Sequence, residues 1–156
     1  MQREIMSRAL EAEDIPFMFK LLSRKEVSDK LHWNPNLNEI EECYEQYWSK
    51  DSDEKNFVIC LGSDTIGWIK LNGYEGEDEL WISMLVIDPD YSGRGYGHKV
   101  LEFAEKQAVI NHRRFLGVET TAGNLTAIAL YIKYGFKLKK YISEDQRYVF
   151  FKAVNN

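Results

Sequence analysis

The first third of the chain predicts a short strand followed by helices. Residues 4–9 form the strand, and Asp14 then stands in the position of a helix N-cap. Hydrophobic residues after Asp14 recur at helical spacing until the loop 32–36 breaks the pattern, and a second helix is predicted over 38–48. The spacing rests on Phe17, Leu21 and Leu22 in the first helix and on Ile40, Cys43, Tyr44 and Tyr47 in the second.

Three apolar runs in the middle of the chain predict strands. The runs 56–61 and 65–71 are separated by Gly62-Ser63-Asp64, which has the turn chemistry of a β-hairpin. These two strands are therefore expected to be antiparallel neighbours. A third run, 80–87, is stopped by Asp88-Pro89-Asp90.

The remainder of the chain alternates between helices and strands. A helix is predicted over 97–111 and a strand over 115–121. Because a helix separates the strand 80–87 from the strand 115–121, these two strands are expected to be parallel, with a right-handed crossover. Another helix, 124–134, ends at Gly135 in the C-cap position.

Two further strands, near 136–140 and 148–152, close the chain. The order of elements predicts an α+β fold, an α/β three-layer arrangement with a mixed, mostly antiparallel central sheet and helices on both faces. The chain of 156 residues shows no internal repeat and no Pro/Gly/Ser linker, so residues 1–156 are predicted to form a single domain.

The composition of the chain indicates which classes of partner it favours. Apolar residues make up 44% of the chain, which argues against disorder. Lysine and arginine number 20 against 25 aspartates and glutamates, a net charge of -5, so nucleic acid is not an expected partner and amine-bearing partners fit better.

The sequence also carries signals about location and metals. No stretch approaches the ~20 apolar residues of a membrane span, and the first residues do not resemble a signal peptide, so we expect a cytoplasmic protein without a membrane partner. Cys43 and Cys60 lack the spacing of a zinc site or of a disulfide framework. No metal is therefore predicted.

The Gly-rich segment 92–97 predicts an anion site. It follows a strand that ends at Asp88-Pro89 and leads into a helix, whose first N–H groups have no partner within the helix. Glycines at 93, 95 and 97 let the backbone approach a pyrophosphate, and Arg94 adds charge. A P-loop would need Gly-Lys-Ser/Thr, and a Rossmann fingerprint would need a small residue where His98 stands, so both fail.

Two segments resemble the motifs of one family. The Gly-rich segment resembles motif A of the GNAT superfamily of N-acetyltransferases, Gln/Arg-x-x-Gly-x-Gly/Ala, with matches at Gly95 and Gly97 and a departure at Ser92. Segment 124–136 resembles motif B, Asn-x-x-Ala-x-x-Leu-Tyr-x-x-x-Gly-Phe, with every named position present. Two motifs in the family's order are more specific than an isolated Gly-x-Gly.

The resemblance implies an acyl-CoA N-acyltransferase fold and direct transfer of an acetyl group from acetyl-CoA to a primary amine of a small molecule or a protein. No covalent enzyme intermediate and no metal are implied. The residues that the resemblance assigns to acetyl-CoA are Leu85, Val86, Ile87, Gly93, Arg94, Gly95, Tyr96, Gly97, His98 and Asn124.

The resemblance also implies two catalytic residues. Tyr131, seven residues after the Asn of motif B, corresponds to the tyrosine that stands near the CoA sulfur and supplies a proton. Glu119 is the first candidate for the base, because the ribosomal-protein alanine acetyltransferases, which the second half resembles, carry a glutamate at this spacing. Other members place an acid on the preceding strand, where this chain has Trp81 and, two residues earlier, Glu79.

Several alternatives remain open at the level of sequence. A non-catalytic acyl-CoA-binding or sensing module would carry the same two motifs, and an interaction domain would require both matches to be coincidental. In the family, the loop with His32, Trp33 and Asn34 belongs to the acceptor pocket, although Trp33 could equally anchor that loop to the core. His112 is expected at a solvated helix end with Arg113 and Arg114. The aromatic strand 148–151 offers an edge for a homodimer.

Overall fold

The computed structural model describes residues 3–154 and contains an open, seven-stranded sheet. The strand order is β1-β2-β3-β4-β5-β7-β6. The strands are β1 Ile5–Ala9, β2 Glu54–Leu61, β3 Asp64–Asn72, β4 Glu79–Ile87, β5 Phe115–Thr121, β6 Lys137–Ile142 and β7 Arg147–Ala153.

The pairing confirms a mixed, mostly antiparallel sheet. Strands β1 to β4 are antiparallel neighbours in sequence order, and the β2–β3 hairpin turns where Gly62 was predicted to turn it. The β4–β5 pair is parallel, as the crossover predicted, while β7 inserts antiparallel between β5 and β6. The expectation that the aromatic strand 148–151 offers a sheet edge is therefore wrong, because this strand has a partner on both sides.

Helices cover both faces of this sheet. The helices are α1 Ile15–Ser23, α2 Lys25–Leu31, α3 Leu37–Cys43 with a π-helical turn at Tyr44–Trp48, α4 Tyr96–Ile110 and α5 Leu125–Tyr134. One core joins α4 and α5 to the sheet through fully buried residues such as Leu80 and Leu101, and a second core joins α1, α2 and α3 to Trp68 on the opposite face. The three-layer prediction is confirmed.

The first predicted helix is two helices. Arg24 lies between α1 and α2 with an extended backbone, ψ 128°. Its guanidinium donates hydrogen bonds to Asp88 at 2.8 Å and to Asp90 at 3.1 Å, 64 and 66 residues further along the chain. A tertiary ion pair therefore accompanies the break, and the local hydrophobic spacing contains no trace of it.

Two helix starts also differ from the sequence prediction. Asp14 immediately precedes α1, but its carboxylate accepts hydrogen bonds from the Glu11 N–H at 2.9 Å and from the Arg8 guanidinium at 2.8 Å instead of capping α1. The helix α3 begins at Leu37 because Asn36 caps it, accepting from the Glu39 N–H at 2.8 Å.

The end of α4 is solvated at His112, as expected, but Arg113 beside it is buried. Its side chain is 8% exposed and donates to the carbonyl oxygens of Gly73 and Tyr74 at 3.1 and 2.9 Å. His112 is exposed, with a left-handed φ of 57°. The arginine thus ties the α4–β5 turn to the loop before β4. Within residues 3–154 no helix is long and apolar enough to cross a membrane.

The Arg8–Asp14 pair gives a pH-dependent prediction of stability. Burial raises the pKa of Asp14, but the hydrogen bonds from Arg8 and from the Glu11 N–H outweigh burial and bring the pKa below its ordinary value of 3.8. Because the folded pKa is the lower one, this stabilisation is present above the ordinary pKa and is lost as the pH falls through the folded pKa. We expect Asp14→Asn to lower the unfolding free energy by about 1–3 kcal/mol at pH 7, with a difference that shrinks as the pH falls below the ordinary pKa of 3.8.

Urea unfolding of the wild type and the variant across pH measures this difference. Asp29→Asn is the matched control, because the Lys25–Asp29 pair is exposed on both sides and is expected to change stability by less than about 0.5 kcal/mol. A loss in Asp14→Asn that stays constant down to pH 2 would contradict the assignment.

Candidate functional site

The strands β4 and β5 separate halfway along their length. They pair from Glu79 opposite Phe115 to Ile82 opposite Val118 and no further. Beyond that point β4 continues to Ile87 and pairs with β3, while β5 continues along β7. The edge of β4 that faces β5 therefore has no strand partner after Ile82, and its backbone groups can bond to a ligand.

A β-bulge accompanies the separation. Ile82 pairs with Leu71 and Met84 pairs with Lys70, so Ser83 is an extra residue in β4. Leu80 and Ile82 therefore face the α4–α5 core together with Leu85 and Ile87, which regular alternation would place on the other face. The polar Ser83 inside an otherwise apolar run was the available sequence signal. Its hydroxyl hydrogen-bonds to the side chain of Asn72.

The three residues assigned to the acyl group lie just after the bulge. Val86 is 7% exposed and packs into the α1–α3 core, whereas Leu85 and Ile87 pack against the α4–α5 core. The side chains of these three residues thus pack into or against the two cores. What they can offer to a ligand is the free backbone edge of β4.

The Gly-rich turn has the geometry of an anion cradle. Gly93 and Gly95 have φ of 73° and 83°, in the left-handed region that favours glycine, and a Cβ at either position would meet no atom within 4 Å. Gly95 is the N-cap of α4, one residue before the start of the helix at Tyr96, whereas the sequence predicted a start at Gly97. Among the described residues no backbone acceptor pairs with the N–H groups of Gly93, Arg94 or Gly95.

Gly97 serves a different purpose, which is helix packing. A Cβ at Gly97 would lie 3.0 Å from a methyl carbon of Leu130, so the absence of a side chain lets α4 approach α5 closely. His98, on the next position, places its ring edge-on to that of Tyr134 at 5.0 Å. Asn124 caps α5, where its side-chain oxygen accepts from the Ala127 N–H at 3.3 Å.

Charged side chains stabilise the segment that leads into the Gly-rich turn. One carboxylate oxygen of Asp88 accepts both the N–H of Asp90 at 2.9 Å and the guanidinium of Arg24 at 2.8 Å, and these bonds hold the short 3₁₀ turn before Gly93. Arg94 folds back and donates to the carbonyl oxygen of Asp90 at 3.1 Å. The sequence pattern points to Arg94 but not to Arg24, because nothing local connects residue 24 to the turn.

Tyr131 lies on the buried face of α5. It is 6% exposed, and its ring is within 5.6 Å of Phe136 and 6.3 Å of Phe150, centroid to centroid. Burial raises the pKa of Tyr131 to about 12. The hydroxyl therefore keeps its proton throughout the physiological range.

A cavity of about 370 Å³ opens where β4 and β5 separate. Glu119 lies in it on the face of β5 opposite Leu116 and Val118, as strand alternation predicted. Its carboxylate is 2.7 Å from the guanidinium of Arg147, which sequence analysis did not single out. The cavity is lined by Asn72, Trp81, Ile82, Ser83, Glu119 and Arg147.

Other residues considered from the sequence take structural positions. Trp33 is half-buried and packs against the α1–α3 core, as a loop anchor would, while His32 and Asn34 are exposed. Glu79 is the first residue of β4, opposite Phe115, and Trp81 stacks edge-on against Phe151 at 5.2 Å between centroids.

A larger cavity, of about 920 Å³, lies between β1 and α4. It borders the Gly-rich turn through Arg94, Gly95 and Tyr96, but neither Tyr131 nor Glu119 lines it. Glu119 lines the smaller cavity, and Tyr131 lines neither of the two. In the part of the chain from 3 to 154, no group of three or more His, Cys, Asp or Glu could hold a metal ion.

Comparison with known proteins agrees with this geometry. The model of the acetyltransferase (GNAT) family matches residues 17–136. A streptothricin acetyltransferase of Escherichia coli is 33% identical over 101 residues, 61% of this chain and 56% of the relative. An N-acetylaspartate synthetase of Xenopus tropicalis is 32% identical over 97 residues, 60% of this chain and 34% of the relative. The matches thus span between a third and somewhat more than half of these relatives.

Solved structures share the whole architecture. The spermidine N-acetyltransferase of Vibrio cholerae, solved with CoA and spermine, superposes with a TM-score of 0.83 at 20% identity and covers 96% of this chain and 95% of that one. An acetyltransferase of Thermus thermophilus superposes with a TM-score of 0.83 at 21% identity, over 98% and 99% of the two chains. At these identities the likeness shows the fold.

The backbone of the Gly-rich turn yields a testable difference between two glycines. Gly95→Ala forces an alanine to a φ of 83°, and we expect it to lower the unfolding free energy by about 1–2 kcal/mol. Gly123→Ala is the matched control, because the φ of Gly123 is not positive and a Cβ there meets nothing within 4 Å. We expect this control to be neutral or to stabilise by up to about 1 kcal/mol. Equal stability of the two variants in urea unfolding would show that the turn is not fixed in the left-handed conformation.

Proposed function

This chain belongs to the acetyltransferase (GNAT) family, and we propose that it transfers the acetyl group of acetyl-CoA directly to a primary amine. The observation that carries the proposal is the free backbone edge of β4 between Ser83 and Ile87, because it lies between the Gly-rich turn at one end and the cavity with Glu119 at the other. A thioester laid along this edge would have its phosphates at the turn and its acyl group at the cavity.

The Gly-rich turn and the free edge of β4 offer the hydrogen-bond donors that acetyl-CoA requires. The N–H groups of Gly93, Arg94 and Gly95 have no backbone acceptor among the described residues, and they stand at the positive end of the α4 dipole, where a pyrophosphate is favoured. An unpaired N–H of the β4 edge can polarise the thioester carbonyl, since such donors stabilise the oxyanion that forms there. We place acetyl-CoA on these groups, with Arg94, Tyr96, His98 and Asn124 around it.

The acyl transfer needs a route for one proton. The nitrogen of the neutral amine bonds to the carbonyl carbon and the carbon–sulfur bond breaks. The proton that the nitrogen then loses balances the one that the departing thiolate gains, by way of solvent. Tyr131, with a pKa of about 12, is a weaker acid than a thiol of pKa ~8.5. It therefore stabilises the leaving sulfur as a hydrogen-bond donor.

Glu119 is the proposed base. An ammonium acceptor with a pKa near ~10 must first lose a proton, and Glu119 lies in the cavity beside the point where β4 and β5 separate. It accepts the proton directly or through water. Glu79 stands at the start of β4 and does not line this cavity, which makes it the weaker candidate.

Family membership indicates that the acceptor is an amine but does not specify which amine. The named relatives and neighbours include enzymes for streptothricin, aspartate and spermidine, which differ in size and charge but share an amino group. We therefore propose a primary amine of a small molecule or of a protein as the acceptor.

A thermal-shift titration tests cosubstrate binding. Acetyl-CoA at 100 times its dissociation constant is expected to stabilise the fold by about 2.7 kcal/mol, a shift of several degrees. ATP and NADH serve as controls for general anion binding and are expected to give smaller shifts. No shift with millimolar acetyl-CoA would contradict the proposal.

The role of Tyr131 is tested by removing its hydroxyl. We expect Tyr131→Phe to lower kcat about 10²-fold while the Kd for acetyl-CoA stays within about threefold, because the hydroxyl acts on the leaving sulfur. Since its pKa is about 12, the wild-type kcat is not expected to fall with rising pH up to pH ~10.

Tyr134→Phe is the matched control on the same helix. The Tyr134 hydroxyl donates to Glu105 at 2.7 Å, which links α5 to α4, so its loss affects stability rather than chemistry. We expect kcat within about threefold of the wild type. Equal effects of the two variants would remove the special role of Tyr131.

A further inference from the structure

The Glu119–Arg147 pair is the feature of the cavity that the proposed reaction leaves unexplained. A base that receives a proton from an amine needs no arginine 2.7 Å from its carboxylate. Both side chains are about one-third exposed, at 34% for Glu119 and 37% for Arg147, so a ligand in the cavity can reach both charges.

Arg147 has donors beyond the nitrogen that faces Glu119. One terminal nitrogen lies against the Glu119 carboxylate, the other donates to Asp145 at 3.0 Å, and the buried Nε has no hydrogen-bond partner among the described residues. Asp145 is 58% exposed, so it is the partner that water replaces most easily. Because the Arg147 side chain is 37% exposed and Asp145 is readily replaced, the guanidinium can take another acceptor, and a carboxylate is the acceptor that matches its planar fork.

The cavity therefore holds a positive and a negative charge side by side. An acceptor with only an ammonium group would attract Glu119 away from Arg147 and leave the guanidinium facing a second positive charge. An acceptor with an ammonium and a carboxylate a few ångströms apart replaces both halves of the internal pair at once. The exchange keeps every charge in the cavity compensated.

We propose that the acceptor is a zwitterion of the amino acid type, whose amine is received by Glu119 and whose carboxylate is received by Arg147. The proposal rests on the proposed function and names the substrate class of the same site. The cavity volume of about 370 Å³ lies at the small end of ligand pockets, which suits a single amino acid. Trp81 forms an apolar wall of the cavity, against which the side chain of the acceptor would pack.

The experiment compares each of the nineteen standard amino acids that carry a primary α-amine with its own C-terminal amide as acceptor of acetyl from acetyl-CoA. The amide keeps the amine and the side chain and lacks only the carboxylate. Its amine is also less basic, so that more of it is uncharged, and the chemistry alone favours the amide. For the wild type we expect at least one free amino acid to exceed its amide at least 10-fold in kcat/KM.

Arg147→Met removes the charge and keeps much of the side-chain volume. We expect it to lower the ratio of kcat/KM between that free amino acid and its amide at least 10-fold, so that the preference disappears, whatever the change in Glu119 does to both acceptors. Arg147→Lys keeps the charge without the fork and is expected to lower the preference only in part. Arg114→Met is the matched control, because Arg114 lies outside the cavity, and it is expected to keep the wild-type ratio.

The outcomes separate this inference from the proposed function. If amines without a carboxylate are acetylated as well as the amino acids, or if Arg147→Met keeps the ratio, the zwitterion is wrong and the acetyltransferase remains. If no amine is acetylated, the binding of each amino acid and of its amide is measured by titration in the absence of acetyl-CoA, and this binding tests the zwitterion site. Arg147-dependent binding of the amino acid alone then supports the zwitterion site, and equal or absent binding overturns it.

The acetyl-CoA thermal shift serves as the folding control for every variant. Should Arg147→Met fail to show the wild-type shift, Arg147→Lys and Glu119→Gln take its place. For Glu119→Gln we expect lower kcat and weaker binding of both the amino acid and its amide, because both present an amine to this side chain. A Glu119→Gln variant that loses binding of the amino acid but retains that of the amide would contradict the assignment of the two ends.

Discussion

A β-strand has two edges for hydrogen bonding, and β4 uses both only as far as Ile82. The bulge at Ser83 turns the strand at this point, and the parallel neighbour β5 continues along β7 instead. Every part of the candidate site depends on this separation. It frees the backbone edge of β4, opens the cavity with Glu119, and carries the end of β4 to the Gly-rich turn.

The separation is tolerated because both halves of β4 are buried in other ways. Leu80 and Ile82 fill the core under α4 and α5, and Val86 fills the core under the first three helices. The burial of these side chains provides the stability that the missing strand pairing does not. A ligand can therefore use the free edge without competing with the packing of the sheet.

Arginines connect the parts of the chain that surround the site. Arg24 joins the α1–α2 break to the turn before Gly93, Arg113 joins the end of α4 to the loop before β4, and Arg147 joins β7 to Glu119. A guanidinium has five donors in one plane, so it can satisfy acceptors from two segments at once. In a chain with a net charge of -5, these few cations hold the polar junctions of the fold.

The sequence alone determined the order of the strands and helices, the Gly-rich turn and the C-terminal end of α5, because each depends on hydrophobic periodicity or turn chemistry within a few residues, as at Gly95 and Gly135. The family resemblance identified Tyr131 and Glu119 as candidate catalytic residues for the same reason, because the motifs of the family are short and local. Only the tertiary structure decided the break at Arg24, the bulge at Ser83 and the pairing of Arg147 with Glu119. Each of these results from contacts between segments far apart in the chain, and such contacts leave no periodic trace in the residues that make them.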